Sequence, residues 1–270
     1  MRVERSTVIF VTLALTACVG EEQRPATPPG SAIETREVSY NAGETPLEGF
    51  MAWDGARQDR RPGVIVVHEW WGNNDHARQQ ARRLAQAGYV GFALDMYGSG
   101  KTTTHPDSAQ SFVTETLENL GAMTTRFQAA VEQLKLDPHV DTTRIAAIGY
   151  CFGGAVVLGM AQDGLPLRAV ASFHGSMPPA ARIDSGSVQA RMLVLTGAAD
   201  PMVPLAQVDS FAMRLRRAGA SIEVVSYPGV MHSFTNPNAG SFGMPGLQYD
   251  ASADRQSWEA MLALFAAALR

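Results

Sequence analysis

Cys151 is the residue of this chain best placed to do chemistry. It lies in Gly149-Tyr150-Cys151-Phe152-Gly153-Gly154, between a strand-like apolar run and a helix-like one. A G-x-C-x-G segment in that context has the form of a nucleophile elbow, a sharp turn that lifts one side chain off the end of a sheet. Glycines flank the cysteine because neighbouring chain passes too close for a Cβ. A helix that begins directly behind the thiol helps to hold a thiolate. The plainer reading of the same residues is a structural cysteine in a glycine-rich turn.

An elbow nucleophile takes an acid and a base further along the chain, in that order. Asp200, in Gly197-Ala198-Ala199-Asp200-Pro201, and His232, in Gly229-Val230-Met231-His232-Ser233-Phe234, both follow predicted strands. Their loops therefore open at the carboxyl ends of parallel strands, where α/β sheets hold their sites. Asp163 and Asp184 do not directly follow a strand, and His174 follows one but precedes Asp200. His76, His105 and His139 fall in helix or loop surroundings. The backbone N–H groups of Phe152 and Trp70 are the candidate oxyanion donors. Trp70, Trp71, Tyr97, Phe173 and Phe234 are candidate apolar pocket walls, although aromatics at strand ends more often belong to a core.

Two further motifs are incomplete. Gly98-Ser99-Gly100-Lys101-Thr102-Thr103 resembles the end of a phosphate loop, but position 95, where the first glycine belongs, is Asp95. His68-Glu69-Trp70-Trp71-Gly72 resembles the start of a zinc-protease helix, but the second histidine is replaced by Gly72 and the segment ends a strand. Glu69 is costly at the end of a doubly buried strand unless it faces a polar cleft. The bland alternative is a surface ion pair with Arg78 or Arg82.

These residues need a scaffold, and the apolar pattern supplies one. Strands are expected at 33–40, 47–53, 63–67, 89–94, 144–148, 169–173, 192–196 and 223–227. Helices are expected at 75–87, 108–136, 152–160 and 205–218, with a closing helix around Trp258 to Leu269. Alternation of this kind predicts a single α/β domain, with a mostly parallel central sheet and helices on both faces. The 270 residues are 46% hydrophobic with net charge −4, which gives no footprint for nucleic acid. Two cysteines, Cys18 and Cys151, exclude a disulfide framework or a cysteine-rich zinc site.

The first residues read as a targeting segment. Arg2 and Arg5 precede the apolar run Val8 to Ala17, too short for an ordinary transmembrane helix. Leu15-Thr16-Ala17-Cys18 resembles the lipobox of bacterial lipoproteins, which implies a signal peptide over 1–17 and lipid attachment at Cys18. Residues 18–31, rich in proline and charge, read as a tether with a reach of about 40 Å. Domain 32–270 would then be held at a membrane, periplasmic or at the cell surface, with the outer membrane expected because Val19 rather than Asp follows the cysteine. A monomer is expected.

The elbow, His-Glu-Trp-Trp-Gly, the Asp200 loop and His232-Ser233-Phe234 together resemble the dienelactone hydrolase family of α/β-hydrolases. The resemblance implies hydrolysis of a small-molecule ester or lactone by a Cys151-His232-Asp200 triad, with no cofactor and no metal. It also implies that Glu69 hydrogen-bonds the resting thiol and takes its proton as substrate binds. One departure concerns the substrate. Members that cleave dienelactone hold its carboxylate with two arginines, where this chain has Gly98-Ser99-Gly100 and Asn236, leaving Lys101 as a weak stand-in. Thioesterase, general carboxylesterase and a non-enzymatic binding lipoprotein are the alternatives. The lipobox carries a direct test: metabolic labelling with a fatty acid marks the wild-type chain and leaves Cys18→Ala unlabelled.

Overall fold

The apolar runs form the centre of the computed structural model, which describes residues 32–179 and 183–270. The signal segment 1–17, the tether 18–31 and Cys18 lie outside the described residues. Strands β1 (Ile33–Ala42) and β2 (Thr45–Asp54) form an antiparallel hairpin. Its turn needs Gly43, whose φ is 60°. Then follow β3 (Arg61–Val67), α1 (Asp75–Gln86), β4 (Val90–Ala93), α2 (Pro106–Glu118), α3 (Leu120–Lys135), β5 (Val140–Tyr150) and α4 (Phe152–Gln162). The chain ends with β6 (Ala169–Phe173), β7 (Arg191–Gly197), α5 (Leu205–Arg217), β8 (Ile222–Tyr227) and α6 (Ala251–Ala268).

The eight strands among the described residues join one sheet in the order β1-β2-β4-β3-β5-β6-β7-β8. Pairing is antiparallel from β1 through β2 to β4 and parallel from there to β8. The period of two sorts each strand between two cores. Val64 and Val66 of β3 pack with Ala81 and Leu84 of α1 and Met261 and Phe265 of α6. Ile65 and Val67 turn the other way, into a core with Phe127 of α3, Val157 of α4 and Phe211 of α5. Strands covered on both faces read as unbroken apolar runs, which is why this architecture was visible in the sequence.

One expected element differs. The helix expected over 108–136 is two helices, divided at Asn119. The Asn119 backbone leaves helical geometry at φ −127°, ψ 73°, and its side chain accepts the Ala122 N–H at 2.9 Å, capping α3. Asparagine competes with the helix for backbone bonds, so a local cap overrode the long-range periodicity.

The elbow is wedged between strands. Cys151 has φ 54° and ψ −115°, and α4 begins on the next residue. A Cβ on Gly149 would strike the Gly153 carbonyl. A Cβ on Gly153 would strike the Val67 and His68 carbonyls at the end of β3. On Gly154 it would lie 2.6 Å from the Gly175 Cα. The obstacles at Gly153 are backbone atoms, which cannot swing aside as a side-chain tip can. Gly153→Ala therefore forces α4 off β3 and destabilises the fold by about 1–3 kcal/mol, measured as a lower urea midpoint, with hydrolytic activity lost alongside.

Candidate active site

Three loops deliver Cys151, Asp200 and His232 to the carboxyl edge of the sheet. The Cys151 N–H is tied to the Phe173 carbonyl at 3.0 Å, which fixes the turn between β5 and α4 against β6. The loop after β7 is held by Ala198 N–H to Tyr227 carbonyl at 2.9 Å and Ala199 N–H to Val230 carbonyl at 3.0 Å. These bonds join the Asp200 loop to the His232 loop. A Cβ on Gly197 would strike the Val230 carbonyl, so glycine permits that join. His232 is then pinned by its N–H to the Gly246 carbonyl and its carbonyl to the Gln248 N–H, both at 3.0 Å.

Within this frame Asp200 is buried and fully used. One oxygen accepts the N–H groups of Met202 at 2.7 Å and Val203 at 3.1 Å. The other lies 2.7 Å from His232 Nδ1, so the histidine donates there and its Nε2 is left for the opposite side. Nε2 is buried without a formed hydrogen bond. Burial opposes a charge on this ring, but the Cys151 sulfur and the Asp200 carboxylate outweigh it and push the His232 pKa up to about 10. Among the described residues the N–H groups of Phe152 and Trp70 have no backbone partner, leaving two donors in the lining of the cavity at Cys151.

Glu69 follows β3 and is 1% exposed. Neither Arg78 nor Arg82 reaches it: Arg78 pairs with Glu37 at 2.6 Å, and Arg82 lies over the Phe50 ring. One Glu69 oxygen accepts the Ser233 hydroxyl. The other accepts Asn236 Nδ2 at 2.7 Å and lies 3.6 Å from His76 Nδ1. The carboxylate is thus held by the His232 loop and by the first turn of α1, and it makes no hydrogen bond to Cys151. Ser233 and His76 were not singled out as its partners from sequence. The available signal was position, since Ser233 and Asn236 share the loop of His232.

The remaining histidines divide clearly. His174 ring packs edge-on to His232, with centroids 5.1 Å apart, and its Nε2 bonds Thr235 Oγ1 at 2.8 Å. Burial, reinforced by His232 and His76, holds His174 well below the usual imidazole range. His68 is buried and pulled down by burial too. Its Nε2 accepts the Met96 N–H at 3.3 Å, so Nδ1–H donates to the Glu69 carbonyl at 2.5 Å. His105 is exposed beside Asp107, and His139 bonds Asp137.

The phosphate-loop resemblance has a structural explanation. The Gly98 and Gly100 N–H groups bond the buried Asp95 carboxylate at 2.8 and 2.9 Å, and the following helix begins at Pro106. Lys101 pairs with Glu115 at 3.6 Å. The expected aromatic pocket is corrected. Trp71, Tyr97, Phe173 and Phe234 are all at most 3% exposed and belong to the packed interior. Trp70 alone of the five lines the cavity that opens at Cys151. Phe234 packs on His174 and Tyr227, and Trp71 on Phe242.

The chain is similar to known proteins over most of its length. A family model described as dienelactone hydrolase family matches residues 47–269. Protein usf of Aquifex pyrophilus is 28% identical over 236 residues, 84% of this chain and 96% of its own. An Aquifex aeolicus protein provisionally named a carboxymethylenebutenolidase is 26% identical, over 84% of this chain and 96% of its own. The crystal structure of a dienelactone hydrolase-like promiscuous phosphotriesterase from metagenomic libraries has a TM-score of 0.84 at 39% identity, covering 88% of this chain and 99% of that one. With the sheet order, the elbow and a family match that runs from β2 through α6, the chain is a hydrolase and belongs to the dienelactone hydrolase family.

Proposed function

We propose that this hydrolase cleaves a carboxylic ester or lactone with Cys151 as nucleophile, His232 as proton carrier and Asp200 as its anchor. The observation that carries the reading is the state of His232. Its Nδ1 is committed to Asp200 at 2.7 Å, while Nε2 is buried and its main electrostatic partner is Cys151. Attack by the Cys151 thiolate on the carbonyl carbon sends an electron pair to oxygen, where the N–H groups of Phe152 and Trp70 stabilise it. Collapse of the tetrahedral intermediate expels the alkoxide, which takes the proton from His232 Nε2. Water then attacks the thioester and gives a proton to His232. A second collapse breaks the C–S bond, expels the Cys151 thiolate beside the protonated His232 and releases the acid.

Glu69 enters this scheme as the hydrogen-bond acceptor that keeps the resting thiol protonated and takes its proton as substrate binds. What supports it is a buried carboxylate with replaceable hydroxyl and amide partners, Ser233 and Asn236, on the His232 loop. In the conformation described, those partners hold Glu69 and the positive ring of His232 is left to balance Cys151. By the same reading the lipobox at Cys18 anchors the enzyme to a membrane.

The chemistry is tested by alkylation. Iodoacetamide abolishes ester hydrolysis with one adduct on the folded domain, at Cys151, and Glu69→Gln lowers kcat while the free enzyme alkylates faster at neutral pH. Full activity after stoichiometric modification of Cys151 excludes it as nucleophile. Unchanged turnover and thiol reactivity in Glu69→Gln exclude the gating role.

The pH dependence follows from His232. As the acid for the leaving alcohol it works while protonated, so activity holds below its pKa and falls as pH rises through about 10. Asp200 is one of the groups that raise that pKa. Asp200→Asn therefore moves the alkaline limb of kcat/KM to lower pH and cuts kcat by about 10³–10⁴-fold, as read from a pH–rate profile.

A further inference from the structure

The cavity at Cys151 has a volume of about 440 Å³, within the usual size of a small-molecule site. Three stretches of chain build its walls. Leu117 at the end of α2 and Leu120 and Met123 at the start of α3 form one side. The face of α4 carrying Ala155 and Gly159 forms the floor, and Met177 in the segment after β6 forms the other side. Cys151 is itself part of the lining, so whatever fills the cavity is delivered to the nucleophile.

Charge sets the class of occupant. Among the described residues no lysine or arginine lines the cavity, and the one charged residue there is Asp163, at the C-terminus of α4. Neither candidate for holding a carboxylate is free to do so. Lys101 pairs with Glu115, and Asn236 bonds Glu69. A substrate carboxylate entering this space would lose its water, find no cation among the described residues and meet Asp163. Leu117 and Leu120, by contrast, are 45% and 49% exposed on either side of the helix break. They gain from being covered by an apolar group.

We infer that the cavity is the binding site for an uncharged apolar chain of the substrate, so that this enzyme selects neutral alkyl or aryl esters over esters that carry a second carboxylate. The inference rests on the reading of Cys151 as nucleophile. The break at Asn119 gives the site its form. Leu117 ends α2 and Leu120 begins α3, so two lining residues flank the break.

The floor supplies a variant that reads depth. A Cβ on Gly159 would meet Pro178 at 3.7 Å and nothing nearer, so the space above this residue is open. Gly159→Leu fills that space and also improves helix propensity, so it is compatible with folding. Leu120→Arg adds the missing cation at the mouth.

The experiment measures kcat/KM for p-nitrophenyl esters from acetate to octanoate, for a matching series of alkyl acetates, and for p-nitrophenyl hemisuccinate. Wild-type enzyme gains about threefold per methylene in one of the two series, and cleaves hemisuccinate about tenfold more slowly than butyrate. Gly159→Leu lowers the octanoate-to-acetate ratio, or its alkyl counterpart, by about tenfold. Leu120→Arg raises the hemisuccinate-to-butyrate ratio. Flat series on both sides of the ester, or a hemisuccinate preference in the wild type, overturn the inference while leaving Cys151 as nucleophile. Hydrolysis that survives Cys151→Ala overturns the catalytic reading, and the chain-length ratios then still report on the cavity. Should no ester turn over, calorimetry on Cys151→Ala decides the matter: binding of methyl octanoate with none of octanoate upholds the inference, and equal binding or none overturns it.

Discussion

Everything at the active edge depends on how closely backbone can approach backbone around Cys151. Gly149, Gly153 and Gly154 let the β5–α4 turn press against the end of β3 and against the segment after β6. At those distances no side chain fits, so the strained φ of 54° at Cys151 is held from every side rather than by one contact. The same approach sets the first turn of α4 against the Val67 and His68 carbonyls, and so fixes Phe152 relative to the loop that carries Glu69 and Trp70. Sheet twist and helix packing bring the loops to a common edge. The glycine contacts set their separation.

The second determinant is the handling of buried charge. Glu69, Asp200 and His232 lie within one interior, where an unpaired ion costs several kcal/mol. Asp200 meets two backbone N–H groups and the imidazole. Glu69 meets a hydroxyl, an amide and His76. The other rings near them, His68 and His174, are held neutral by burial, so they contribute hydrogen bonds without adding a competing cation. His232 is thereby left as the histidine in this interior whose pKa is driven upward.

The fold was legible because doubly covered strands write themselves as runs such as Gly63-Val-Ile-Val-Val67, and because Gly88 and Gly219 mark helix ends. The convergence of Cys151, Asp200 and His232 was legible because chain order and strand ends constrain an elbow so tightly. What escaped was decided by contacts distant in sequence. Asn119 broke a helix whose periodicity continued across it. Ser233 and His76 became partners of Glu69 only because β3, α1 and the loop after β8 converge. Trp71, Tyr97, Phe173 and Phe234 have the composition of pocket walls, yet three-dimensional packing turned them inward and left Trp70 as the one of the five in the lining.

The division at Asn119 has a consequence for how such an enzyme can change over generations. The groups proposed to react stand on strand ends, beside glycines whose backbone contacts admit no side chain. Leu117 at the end of α2 and Leu120 at the start of α3 are half in water and stand outside the apolar cluster that holds Cys151 and Phe152. Substitutions there are expected to act almost independently of those at the elbow, because effects add when sites share no partners. A lineage can therefore explore new substrates through this rim at little risk to the machinery beneath it. The helix break is thus a seam between the part of the molecule free to drift and the part that must stay fixed.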